Sequence, residues 1–102
     1  MAANPSLIRQ RRIIDVLMAL QPGEVVTYGE VADVAGYPKL SRLVGYILAT
    51  TEVEVPWWRV VNAAGRLVPG HERRQTVLLR EEDVVVRNGR VISAPHGRWS
   101  PD

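Results

Sequence analysis

From Leu7 onward the apolar positions Ile13, Ile14, Leu17, Met18 and Leu20 recur at roughly helical spacing, and the pattern stops at Pro22-Gly23. The spacing predicts a first helix with Ser6 as its cap. In the next stretch, TYGE, Thr27 and Glu30 have the spacing of a capping box, in which each side chain satisfies a free amide of the first turn. A short second helix is expected through Val31, Ala32, Val34 and Ala35 to Gly36. GYP then turns the chain, and Pro38 suits the first position of a third helix because it lacks the amide hydrogen that would go unpaired there. Two helices joined by about three residues have helix-turn-helix spacing.

The third helix, PKLSRLVGYILATT, has two faces when each residue is turned by ~100°. Leu40, Leu43, Val44, Ile47 and Leu48 make one stripe, the expected core face. Opposite lie Arg42, Gly45 and Ala49, flanked by Tyr46 and Lys39. Glycine costs ~1 kcal/mol relative to alanine inside a helix, so Gly45 implies that something approaches this backbone closely. A DNA groove and a packed neighbouring helix both satisfy that requirement.

Beyond this helix the period changes. VVNAAGRLV reads as two short β runs about Asn-Ala-Ala-Gly, a hairpin that could serve as the wing of a winged-helix domain. ERRQTVLLREE reads as a helix with Val77 and Leu78 or Leu79 inward. VVVRNGRVIS centres on Asn88-Gly89, the strongest two-residue hairpin signal. The tail APHGRWSPD is rich in turn formers and is expected to be loose from residue 93, with Trp99 able to pin it. The fold class expected is mainly α with small β hairpins, a winged-helix or helix-turn-helix domain in one unit, residues 1–102 with a core of about 6–92.

Composition narrows the chemistry. A chain of 102 residues with 46% hydrophobic and 24% charged residues has the make-up of one ordinary globular domain. No apolar run reaches the ~20 residues of a membrane span, and the first residues lack a signal peptide's apolar stretch. A cytoplasmic protein with no membrane partner is expected. The absence of cysteine excludes disulfides, thiolate nucleophiles and cysteine-ligated zinc, and two histidines are too few for most metal sites. Neither a metal nor a cofactor is expected. Net charge is only +2, but Lys39 is the sole lysine among 13 basic residues. Arginine's planar fork suits phosphates and base edges, so nucleic acid is a permitted partner, as is a merely solvated surface.

The segments VVTYGEVADVAGYPKLSRLVGYIL and PWWRVV carry a resemblance. They are similar, in order and spacing, to the DNA-binding domain of the O6-alkylguanine-DNA alkyltransferases, and more closely to the alkyltransferase-like proteins, over roughly residues 7–92. The family's enzymes read PCHRV where this chain reads PWWRV, so Trp57 stands at the position of the alkyl-accepting cysteine and Trp58 at that of its activating histidine. Alkyl transfer needs a soft, ionisable nucleophile, and an indole cannot replace a thiolate. No alkyl transfer is expected. Glu82 matches the glutamate that completes the family's relay; with both partners replaced, the expected role is structural.

The resemblance implies the rest of a binding apparatus. It places the third helix in the minor groove, with Arg42 filling the space of a base rotated out of the stack and Tyr28 crowding the 3′ phosphate. Lys39, Ser41 and Gly45 complete the implied DNA contacts, and Tyr28, Pro56, Trp57 and Arg59 the implied lesion pocket. Adjacent residues on an extended strand point to opposite faces, so Trp57 is expected to line the pocket and Trp58 to be buried. Arg59 fits either a role in holding the loop or a phosphate contact, and Arg73 and Arg74 fit phosphate. The segments ATTEVEV and VPGHERRQ are shorter than in the enzymes, which implies a more open pocket. The implied partners are double-stranded DNA containing O6-alkylguanine and the damage-recognition proteins of nucleotide excision repair, with the protein acting as a monomer. Three other readings compete: a sequence-specific winged-helix regulator without lesion preference, an enzyme with another nucleophile, and a protein-only interaction module.

Overall fold

The computed structural model describes residues 4–101. It divides into two compact units, one made of the chain up to Leu20 with Tyr28–Trp57, the other of Gln21–Thr27 with the chain from Trp58 onward.

The first unit holds three helices. The helix α1 spans Pro5–Met18, and its cap is Asn4, not Ser6: the Asn4 side chain accepts from the Ser6 amide at 2.8 Å. Capping by Asn4 leaves Pro5 at the first helical position, where its missing N–H costs nothing. Ile13 and Leu17 are fully buried, whereas Leu7 and Met18, also assigned to the inward face, are exposed. The helix α2 spans Tyr28–Ala35 and starts directly after Thr27. It ends in a Schellman arrangement, with the Gly36 amide donating to Asp33 and the Tyr37 amide to Ala32, and with Gly36 at φ +93°.

The helix α3 spans Ser41–Thr50, later than the Pro38 start expected. Pro38 and Lys39 instead form a turn in which Lys39 takes φ +73°, a left-handed conformation that no helical residue adopts. The connection from α2 is therefore Gly36–Leu40. Val44 and Ile47 are buried and Leu40, Leu43 and Leu48 half-buried, so the inward stripe stands as the wheel placed it. Val31, Ala32 and Ala35 of α2 are buried with them, and the three helices pack on one another.

The second unit is built on strand β1, Glu24–Thr27, absent from the sequence-based expectation. Four residues are too few to show a period, but its three buried residues after Glu24 mark it as the centre of a sheet. Strand β2, Val60–Val61, pairs parallel to β1 on one side. The expected hairpin over residues 60–68 is thus not formed: its first arm joins β1, while Arg66 bridges to Arg90. Helix α4 spans Glu72–Glu81 and buries Gln75 and Leu79, while Val77, expected inward, is 53% exposed. The hairpin predicted around Asn88-Gly89 is present as β3, Val85–Arg87, and β4, Arg90–Ser93. Asn88 at φ 52° and Gly89 at φ 71° close it with the positive angles of a type I′ turn.

The tail is not loose. Strand β5, His96–Gly97, pairs parallel to the other side of β1, giving the order β2-β1-β5. At Gly97 a Cβ would meet the Val25 carbonyl oxygen at 2.6 Å, so only glycine allows this pairing. Trp99 and Trp58 pack against the core of Val25, Val61, Leu67, Leu79, Val84, Val86, Val91 and Ala94.

Candidate functional site

In the first unit the outward side of α3 and the start of α2 come together. Arg42 and Ala49 are exposed, Tyr46 is exposed beside them, and Gly45 is half-buried between turns. What half-covers Gly45 is Tyr28: a Cβ there would lie 3.9 Å from one ring carbon and 4.0 Å from another, ordinary van der Waals contact. No backbone of another helix lies against it among the described residues. Packing within the molecule does not require glycine at this position, so the neighbouring-helix account of Gly45 lacks an observation. Burial raises the Tyr28 phenol above its ordinary value of 10.0, so the hydroxyl stays neutral and can both donate and accept.

The N-terminal end of α3 adds positive potential. Its first turn holds no acidic residue, no side chain caps it, and Lys39 lies exposed just before it with Arg42 at its second position. Unsatisfied amides and two cations at one helix end favour an anion such as a phosphate. Ser41, the first helical residue, is half-buried at that end. No ion pair holds Arg42 among the described residues, so its fork is available to another molecule. The structure therefore gathers Tyr28, Arg42 and Gly45 on one surface, with Lys39 and Ser41 at its helix start.

Pro56 and Trp57 close the first unit's stretch of chain; Pro56 is buried and Trp57 half-buried. PWWRV is not extended here. Trp57–Arg59 forms a single turn of 3-10 helix, so the strand alternation argument does not apply. Trp58 belongs to the second unit, where its ring packs against the core but is half-buried, not fully buried as expected.

There Trp58 and Arg59 converge on Glu82, which closes the end of α4. The Trp58 indole donates to Glu82 Oε2 at 2.9 Å, the Arg59 guanidinium donates to both carboxylate oxygens at 3.0 and 2.6 Å, and the Gly23 amide donates at 2.8 Å. Arg59 also lies over the Trp58 ring, 5.1 Å from its centroid. Burial raises the Glu82 carboxyl, but the hydrogen bonds from Arg59, Gly23 and Trp58, with the Arg59 charge, outweigh it and hold the group below its ordinary value. Arg59 is thus engaged in holding its own loop. The indole N–H only donates and cannot accept a proton, so the contact between positions 58 and 82 is a hydrogen bond without acid–base function.

Sequence reasoning missed Gln75. It is fully buried; its side-chain oxygen accepts from the Val68 amide at 2.7 Å, and its nitrogen donates to the Trp58 and Val60 carbonyls at 3.1 and 3.2 Å. A glutamine at an inward position of α4, 15 residues after PWWRV, was the available signal. Arg73 and Arg74 lie exposed in the first turn of α4.

Residues 9–84 match the family described as 6-O-methylguanine DNA methyltransferase, DNA binding domain. The chain is 34% identical to a DNA base-flipping protein of Vibrio parahaemolyticus over 88% of its own length and 94% of the relative's. It is 31% identical to alkyltransferase-like protein 1 of Schizosaccharomyces pombe, over 88% of this chain and 93% of that one. The crystal structure of S. pombe Atl1 in complex with damaged DNA containing O6-carboxymethylguanine is similar with a TM-score of 0.71 and 31% identity, covering 83% of each chain. That protein binds the damaged DNA in its crystal. With three quarters of its length matched by the family, this chain belongs to the 6-O-methylguanine DNA methyltransferase DNA-binding-domain family.

Proposed function

We propose that this protein is a non-catalytic sensor that binds O6-alkylguanine in duplex DNA through the minor groove, rotates the damaged nucleotide out of the stack and leaves it chemically unchanged. The observation that carries the reading is a pairing of loss and retention. The chain has no cysteine and holds Trp57 where the family's enzymes hold the alkyl acceptor, while Tyr28, Arg42 and Gly45 still meet on one exposed surface. A surface built to enter DNA, without the nucleophile, is what a sensor needs.

The physical sequence of events follows from these side chains. The lack of a side chain at Gly45 lets α3 settle into a narrow groove, Lys39 and the helix end attract phosphate, and Arg42 takes the vacated place in the stack. Tyr28 crowds the phosphate beside the rotating nucleotide. Flipping costs a few kcal/mol and least for a poorly paired base, so an alkylated guanine is favoured before any contact to the alkyl group. Trp57, half-buried beside the buried Pro56, offers an apolar wall to the flipped base. A bound, unrepaired lesion then serves as the signal for the damage-recognition proteins of nucleotide excision repair, with the sensor acting as a monomer.

The test uses matched duplexes carrying guanine or O6-methylguanine at fixed salt, with protein and DNA weighed afterwards by mass spectrometry. Tighter binding of the lesion duplex with both masses unchanged is expected. Equal affinity for the two duplexes overturns the sensor reading in favour of a regulator, and a methyl gain on the protein overturns the non-catalytic part.

A further inference from the structure

The second unit carries a charged surface that the DNA-binding reading does not use. Arg90 on β4 is paired in register with Arg87 on β3, and on its other side it bridges to Arg66. Residues directly opposite in a sheet project to the same face, so the three guanidiniums form a row across three neighbouring segments. With Asn88 and Ile92 they line a concave site of about 370 Å³. Like charges directly opposite each other destabilise a sheet. The row contains two such oppositions, and neither the Arg11–Asp15 nor the Arg59–Glu82 ion pair relieves it.

The same outward face is not purely basic. Strand alternation puts Val86 and Val91 into the core and turns Val85 and Ile92 outward with the arginines, 40% and 46% exposed. A phosphate ladder would use the guanidiniums and leave two aliphatic side chains without a counterpart. Arginine beside apolar surface is instead the composition of a protein–protein contact. Spacing adds a second constraint: cross-strand neighbours are ~5 Å apart, close to the ~5–6 Å between side chains at i and i+4 of a helix.

We infer that the outer face of the β3–β4 hairpin, with Arg66, is a docking site for an acidic amphipathic helix of a partner protein, whose carboxylates at i, i+4 and i+8 meet Arg66, Arg90 and Arg87 and whose adjacent aliphatic side chain covers Ile92. This inference goes beyond the lesion-binding reading and does not depend on it. The surface is chemically distinct from that of α3: carboxylates and aliphatic groups here, phosphate and a base there.

The probe is a synthetic helical peptide with glutamate at i, i+4 and i+8 and leucine at i+3 and i+7, titrated into the isotope-labelled full chain and followed by backbone amide and arginine Nε–H signals. Saturable shifts confined to Arg66, Arg87, Arg90, Ile92 and their neighbours are expected, with a Kd below about 1 mM. Binding should weaken at least tenfold with glutamine in place of each glutamate, and equally in Arg90→Glu. That variant relieves both like-charge oppositions and is expected to stay folded; Arg87→Gln serves as a milder second variant, expected to weaken binding severalfold. Equal binding of the glutamine peptide, shifts spread over the whole surface, or no saturable shift would overturn the inference. So would an undamaged duplex that saturates these same arginine signals in preference to the peptide, since the face would then belong to DNA. Lesion affinity measured on Arg90→Glu is expected to be unchanged, which separates a failure here from a failure of the sensor reading.

Discussion

Arg42 and Arg59 are the same residue type in the two units, and their surroundings are opposite. Arg42 stands exposed on α3 without an ion pair among the described residues, beside Gly45 and Tyr28. The Arg59 and Glu82 side chains are only 11% and 13% exposed and grip each other, with the Trp58 ring stacked beneath the guanidinium. A guanidinium held this way has exchanged its capacity to bind another molecule for order in its own loop. Arg42 has made no such exchange, which is what a side chain meant for an external partner requires. Around these two arginines, then, the first unit presents its chemistry outward, while the second spends Trp58, Arg59, Gln75 and Glu82 on internal bonds and turns other arginines, Arg66, Arg87 and Arg90, to its surface.

The sharpest way to break this contrast is Glu82→Ala. Removing it leaves the poorly exposed Arg59 charge, the Trp58 indole N–H and the Gly23 amide without their acceptor, and losing one partner of such a pair costs about 3 kcal/mol or more. Urea unfolding should show the loss, and an unchanged midpoint would mean that the network is ornamental. Arg42→Ala is expected to do the reverse. Lesion-duplex affinity should fall about 10- to 100-fold, the usual effect of losing one specific arginine contact, with thermal stability unchanged. A parallel fall in Tm would place Arg42 with Arg59 as a structural residue.

Acid sharpens the same comparison at smaller amplitude. Because the folded Glu82 carboxyl lies below its ordinary value of 4.5, the unfolded chain takes up the proton first as pH falls. Its contribution to stability is therefore present above pH 4.5 and is lost as pH drops through the folded-state value. A stability–pH profile of the intact chain should fall more steeply in that window than one of Glu82→Gln. The smallest effect is expected at Gly45→Ala. The added methyl meets only Tyr28 at contact distance, so the helix should gain up to ~1 kcal/mol while DNA affinity declines. A variant that gains stability and loses binding would locate the glycine's purpose outside the molecule. Unchanged binding would remove Gly45 from the interface.

Much of the first unit was legible in the chain because its signals are local. The wheel of α3 separates Val44 and Ile47 from Arg42 and Ala49 by angle alone, and the structure keeps that separation. Asn88-Gly89 likewise carries its turn in its own backbone preferences. Local signals also misled. Pro38 is a good first helical residue, yet the left-handed Lys39 delays the helix to Ser41. Asn4 displaced Ser6 as a cap because Pro5 favours the position immediately after a cap.

In the second unit, what was missed depends on partners distant in sequence. Strand β1 has too few residues to declare a period and exists because Val60–Val61 and His96–Gly97 pair on its two sides. Nothing next to Gly97 reveals that Val25 presses on it, and nothing next to Gln75 reveals that its partners are the Val68 amide and the Trp58 and Val60 carbonyls.

The sequence by itself determined the chemistry that is impossible here and the residues that can replace it: no cysteine, Trp57 and Trp58 in PWWRV, an arginine and a glycine on one face of a helix. Residue type decides whether a thiolate can form, and helical period decides which side chains share a face. Only the tertiary structure decided that Arg59 is committed to Glu82 and that Arg66, Arg87 and Arg90 form a row, because a charge's role depends on which other groups reach it in space.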